Sequence, residues 1–153
     1  MDNSALLINV LYVDDEVHNL QAFKASFRRD FNIYTANSAN QAKLILKQYS
    51  IHVLITDQRM PSVLGTELLA ETVKEYPDQI RILLTAYTDV EAIIDAINRG
   101  HIFKYLQKPW NNDVLHEAII EGYEIYDLKE KEKKLKVELQ KSVDELIQAL
   151  KKR

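Results

Sequence analysis

Apolar and polar positions along the chain change period at regular intervals. Short apolar runs, each about a strand long, alternate with stretches whose apolar residues recur every three or four positions. Leu6–Val13 (LLINVLYV) reads as a buried strand, and Val17, Leu20, Phe23 and Phe27 follow at helical spacing. Phe31–Ala36 (FNIYTA) is a second, short strand. Ser38 stands where a hydroxyl can cap the next helix, whose apolar positions include Leu44, Ile45, Leu46 and Tyr49. His52–Thr56 (HVLIT) is a third strand, and Leu64 to Tyr76 a third helix that stops before Pro77. Ile80–Ala86 is a fourth strand, followed by a helix marked by Val90, Ile93, Ile94 and Ile97. His101–Gln107 is a fifth strand, and a last helix starts near Asn111 or Asn112.

Five strands alternating with five helices predict an α/β fold, a doubly wound parallel sheet covered on both faces. The central strands are continuous apolar runs, as burial on two sides requires. The last helix outruns such a fold. No proline interrupts Asn112 to Leu150, and Ile125, Leu128, Glu132, Leu135, Leu139, Ser142, Leu146 and Ala149 form a 3-4 heptad seam with two polar positions. As one helix these ~39 residues reach ~58 Å, too far to bury both ends on a small domain. The expectation is a domain over 1–126 and a helical coiled-coil extension over 127–153, pairing in parallel with a second copy.

Composition removes several function classes. With 46% apolar and 28% charged residues, the 153-residue chain reads as one globular domain with room for an extension. The absence of cysteine excludes a disulfide scaffold and a cysteine metal site. The N-terminal run lacks the basic start of a signal peptide and is too short to cross a bilayer. Net charge is −3, divided into +4 over residues 129–153 and −7 over the rest. An acidic domain gives no footprint for nucleic acid. The four histidines show no metal-ligand spacing.

The candidate chemistry sits where strands end. The first strand ends in Asp14 and Asp15, the third in Asp57 and the fourth in Thr85, while the fifth runs on to Lys108 and Pro109. In a parallel sheet these ends share one edge, where ligands bind. Carboxylates ~4 Å apart repel by ~4 kcal/mol at an effective dielectric of 20. One lysine cannot offset three of them, so an acid takes up a proton or a divalent cation sits among them. Oxygen-only ligands favour Mg²⁺, and a carboxylate beside Mg²⁺ can attack a phosphoryl group. Lys108 and the Thr85 hydroxyl would then hold the transferred oxygens.

VDDE after the first strand, LITDQRMP after the third, LLTA after the fourth and YLQKPW after the fifth resemble the receiver domain of two-component response regulators, over roughly Leu7 to Tyr126. The resemblance implies a flavodoxin-like strand order of 2-1-3-4-5 and a cytoplasmic phosphoacceptor switch, not an enzyme in the usual sense. It implies Asp57 as phosphoryl acceptor and Mg²⁺ held by Asp14, Asp15, Asp57 and the backbone carbonyl of Arg59. It implies Thr85 as the hydroxyl switch, Lys108 as the active-site lysine, Tyr105 as a rotating aromatic and a cis bond before Pro109. Arg59 and Tyr87 would flank the path of attacking water. The implied partners are a sensor histidine kinase or phosphotransfer protein, and a homodimer formed through the last helix, with no direct contact to nucleic acid or membrane. Two other readings stand beside it. A phosphatase of the haloacid dehalogenase type would need an aspartate where Arg59 stands, and a coiled-coil adaptor would be indifferent to Asp57.

Overall fold

A computed structural model describes residues 7–86 and 89–152. The elements run β1 (Asn9–Val13), α1 (Val17–Phe27), β2 (Asn32–Ala36), α2 (Ala39–Gln48), β3 (Val53–Asp57), α3 (Gly65–Glu75), β4 (Ile80–Thr85), α4 (Val90–Arg99), β5 (Lys104–Gln107) and α5 (Asn112–Lys151). The sheet has the order β2-β1-β3-β4-β5, and every neighbouring pair is parallel. β3 and β4 are buried along their whole length.

Alternation along the strands sorts the core into two layers. Val10, Tyr12, Val53, Ile55, Ile82 and Leu84 face α1 and α5, and pack on Phe23, Phe27, Leu115 and Ile119. Leu11, Val13, Leu54 and Leu83 face the other way, against Ala42, Leu46, Leu68, Leu69 and Ala96 of α2, α3 and α4.

Local signals set several element ends. Ser38 Oγ accepts from the Gln41 N–H at 3.1 Å, the expected cap of α2. Asn111 Oδ1 caps α5 by accepting from the N–H groups of Asp113 and Val114. Just before it, the Trp110 ring stands edge-on to Tyr12 and Phe23 at 5.7 and 5.9 Å. That contact fixes the start of the last helix to the core. Gly122 lets α5 approach the sheet, because a Cβ there would lie 2.7 Å from Ile80 Cγ2.

One expected boundary shifts, and one helix packs through its small residues. β5 begins at Lys104 rather than His101, because His101 takes a positive φ of 46° that breaks extended pairing. α4 turns its isoleucines outward: Ile94 and Ile97 are each 53% exposed, while Ala92 and Ala96 are buried. The small residues let α4 pack closely on the β3–β4 layer, and the larger side chains have no room there.

α5 is one continuous helix of 40 residues. Its contacts with the domain reach past Tyr126, through an ion pair between Lys133 and Asp78 at the base of β4. From Lys131 to Lys152 every residue is exposed.

Substitutions on α4 check its orientation. Ala96→Leu should overfill the α4–sheet contact and lower stability by about 1–3 kcal/mol. Ile97→Lys should change it by no more than ~0.5 kcal/mol, as at other surface positions. Equal losses in urea titration would return the isoleucines to the core.

Candidate functional site

β1, β3 and β4 end level with one another: Val13 pairs with Thr56, and Asp57 with Leu84. The strand ends therefore deliver Asp14, Asp15 and Asp57 to one edge. Each offers a carboxylate oxygen within 4.8 Å of the others. Lys108, just beyond β5, reaches between them, with Nζ 2.9 Å from Asp14 Oδ2 and 3.2 Å from Asp57 Oδ1. The Lys108–Pro109 bond is cis.

The two buried acids have opposite environments. Asp14 is completely buried and fully supplied with donors. The Tyr12 hydroxyl donates to its Oδ2 at 2.6 Å, the Asn19 amide to the same oxygen at 3.0 Å, and the Glu16 N–H to Oδ1 at 3.0 Å. Burial pushes the Asp14 carboxyl up, but Tyr12, Glu16 and Lys108 outweigh it and hold it below the usual carboxylate range. Asp57 is raised: burial pushes it up, Lys108 only partly offsets this, and the Asp14 charge adds to it. Lys108 is lowered by burial but raised more by its two acids, so it stays firmly charged.

Behind Asp57 the chain must turn away at once. Gly65 N–H donates to Gln58 O at 2.9 Å, and a Cβ on Gly65 would stand 2.2 Å from Asp57 O. Only glycine permits that approach.

The remaining site residues divide. Thr85 is buried at the same edge, and among the described residues its hydroxyl makes only a long 3.4 Å contact to Ala86 O. Tyr105 pairs with Leu83 and so shares Thr85's face of the sheet, but its side chain is 46% exposed. The Arg59 side chain leaves the cluster and comes within 3.8 Å of Asp89. Tyr87 lies outside the described residues. Asp15 does not cap α1, whose N-cap is Glu16 without a side-chain bond. Sequence reasoning missed Tyr12 and Asn19 as anchors of Asp14. Tyr12 carried a signal, as the one aromatic residue in the first strand.

A family model described as the response regulator receiver domain matches residues 10–120. The chain belongs to that family. It is 34% identical over 139 residues to the hydrogenase transcriptional regulatory protein HoxA of Cupriavidus necator, covering 91% of this chain and 29% of HoxA. The chain spans under a third of the curated relatives' length at the head of that comparison. Among solved structures, the receiver domain of an HD domain-containing protein from Pseudomonas fluorescens superposes with a TM-score of 0.76 at 31% identity, over 78% of this chain and 97% of that one. A response regulator receiver domain protein from Clostridium thermocellum gives 0.74 at 33% identity, over 80% and 98%.

Receiver domains are signalling switches that bind Mg²⁺ at an acidic pocket. The residues here fit such an ion. Three hard oxygen donors carry one more negative charge than Lys108 and a further monovalent cation would neutralise, which suits a divalent ion. Among the described residues no helix is long and apolar enough to cross a membrane.

The opposed pKa values make stability depend on Asp57. Folded Asp57 holds its proton more tightly than the unfolded chain does. Its ionisation therefore subtracts stability as pH rises from ~3.9 through its raised value. Asp14 does the reverse, and its contribution is lost as pH falls below the ordinary carboxylate value. At pH 7 without divalent cations, Asp57→Asn should melt about 2–4 °C above the parent, equivalent to ~1 kcal/mol. The gap should close below pH ~4. A parent that melts higher at pH 7 would overturn this account of the site's charge.

Proposed function

We propose that the chain takes a phosphoryl group onto Asp57 from a sensor histidine kinase or phosphotransfer protein, and relays the change through α5 to a partner or output module. One observation carries the reading: Asp57 is the buried acid left short of donors. Asp14 is engaged by Tyr12, Asn19, Glu16 and Lys108, whereas Lys108 is the only side-chain donor to Asp57 among the described residues. A carboxylate in that state has a lone pair to give.

An Asp57 oxygen forms the new bond to phosphorus as the phosphorus–nitrogen bond to the donor's histidine breaks. The pair of electrons in that bond leaves with the imidazole. Lys108 already touches Asp57 Oδ1 and carries the charge that stabilises the transferred oxygens. Asp14, Asp15, Asp57 and the carbonyl of Arg59 would hold Mg²⁺, which supplies the balancing positive charge when bound. Among the described residues the Thr85 hydroxyl has only the 3.4 Å contact to Ala86 O to give up, and it can turn to a phosphoryl oxygen.

The relay follows from position. Tyr105 shares Thr85's face of the sheet and can turn inward as Thr85 moves. The outward apolar side chains Val90, Ile94, Ile97 and Tyr105 form the surface whose population then shifts. We divide the chain into a receiver over 1–126 and a helical extension over 127–153, which forms a homodimer. Such kinase partners place its action in the cytoplasm. HoxA is named as a transcriptional regulator, and an output of that kind would lie outside this receiver, which itself touches neither nucleic acid nor membrane.

Incubation with acetyl phosphate and Mg²⁺ should add one phosphoryl group by intact mass. Asp57→Asn or a chelator should abolish the addition. Full labelling of the variant would refute the assignment.

A further inference from the structure

The Tyr12 hydroxyl stands at the site but has no part in the transfer described above. Asp14 Oδ2 accepts from three donors: the Tyr12 hydroxyl at 2.6 Å, Lys108 Nζ at 2.9 Å and the Asn19 amide at 3.0 Å. A carboxylate offers about four lone-pair sites, two on each oxygen. Oδ2 is therefore oversubscribed by one donor, while Oδ1 takes the Glu16 N–H at 3.0 Å.

Of the three donors, Lys108 is the one with a second acid to serve. Its ammonium rests nearer Asp14 than Asp57, at 2.9 against 3.2 Å. In the transfer proposed above it must lean the other way, toward oxygens arriving on Asp57. Taking a donor from a buried carboxylate is costly when nothing fills its place. Asp14 is completely buried, so solvent does not reach it. With Tyr12 and Asn19 present, both lone pairs of Oδ2 stay filled as Lys108 moves. Without the Tyr12 hydroxyl, Lys108 becomes the second donor, and its departure leaves a lone pair empty.

The phenol is placed for this task by the core. Tyr12 is fully buried, with its ring stacked on Phe23 at 4.4 Å and met edge-on by Trp110 at 5.7 Å. Trp110 lies two residues beyond Lys108. Tyr12 thus holds Asp14 through its oxygen and the lysine's loop through its ring. As a neutral donor it fills the lone pair without adding a second positive charge. Asn19 is the weaker holder, because its amide also lies 3.3 Å from Glu16 Oε2.

We propose that Tyr12 is a positioning residue, whose hydroxyl keeps Asp14 satisfied when Lys108 turns away and so frees the ammonium for the phosphoryl oxygens on Asp57. This rests on the phosphoryl-acceptor reading of Asp57 and adds the group that lets its lysine move.

Tyr12→Phe removes the oxygen and keeps the ring. Beryllofluoride, a mimic of the phosphoryl group on an aspartate, is titrated by calorimetry at saturating Mg²⁺. Tyr12→Phe should bind it about tenfold more weakly than the parent, the scale of one hydrogen bond to a charged group. Equal affinity, in a parent that labels on Asp57 with acetyl phosphate, overturns this inference alone. A parent that neither binds beryllofluoride nor labels overturns the reading of Asp57, and this inference with it. Melting without metal separates positioning from plain support. Lys108→Met should lower the melting temperature more in Tyr12→Phe than in the parent, because Lys108 is no longer the surplus donor there. A double variant that does not fold is the extreme of that result. Additive losses make the hydroxyl structural only and overturn the proposal. Asn19→Ala serves where Tyr12→Phe does not fold, since it removes the other neutral donor from the same oxygen. Severalfold weaker beryllofluoride binding in it supports the proposal, and affinity equal to the parent's overturns it.

Discussion

Lys108 stands between two buried carboxylates, and its single charge is what lets the edge of the sheet hold them. Its ammonium bridges Asp14 and Asp57 at 2.9 and 3.2 Å. One cation shared by two acids leaves a deficit, and the fold distributes that deficit unequally. Asp14 receives the phenol, the amide and the backbone N–H, so it stays ionised at no expense to the core. Asp57 carries the shortfall. That asymmetry makes one acid a fixture and leaves the other free for the role proposed above, although both end neighbouring strands.

The asymmetry depends on the hydrophobic layers beneath it. Tyr12 reaches Asp14 because its ring is stacked on Phe23 at 4.4 Å and faced edge-on by Trp110. Trp110 in turn sits between the cis Lys108–Pro109 bond and the Asn111 cap. The residue that supplies the site's positive charge and the residue that caps α5 are thus three positions apart on one short loop. Packing on the α1 and α5 side of the sheet holds the charge cluster in register. The α4 side is thin by comparison, with Ala92 and Ala96 buried and Ile94 and Ile97 in solvent. A fold with one firm layer and one thin one has an obvious place to move.

Most of this was legible in the sequence where one residue's chemistry sufficed. Strand ends that carry Asp, Asp, Thr and Lys after apolar runs announce a polar edge, and parallel topology brings them together. The strand order itself came only through the family resemblance. What stayed hidden needed distances between elements. The hydrophobic period of α4 marks its large residues as core, because periodicity cannot weigh alanine against isoleucine when the gap to the sheet is narrow. Asn19 as a ligand of Asp14 is a contact across a loop and a helical turn, with no spacing rule to reveal it. On α5 the 3-4 template passes through Ser142 and Ala149, with Val143 and Leu150 beside them, and all four stand exposed on the projecting helix.

α5 belongs to two structures at once, which constrains what it can transmit. Its first half is core, with Leu115, Ala118 and Ile119 fully buried. Its second half has no such support, yet no proline or glycine follows Gly122 to decouple the two. The Lys133–Asp78 pair and the packing of Tyr123 and Tyr126 around His52 extend the attachment about three turns beyond Gly122. A helix held over that length and continuous beyond it moves as a rod. A displacement of a few degrees at the receiver, multiplied over the projecting length, becomes a shift of ångströms at Leu146 and Leu150. An exposed pairing surface far from Asp57 is therefore better placed to read the receiver's state than one close to it, provided that its contacts are weak enough to be changed. In the proposed homodimer Glu132, among the leucines of α5, would keep them weak.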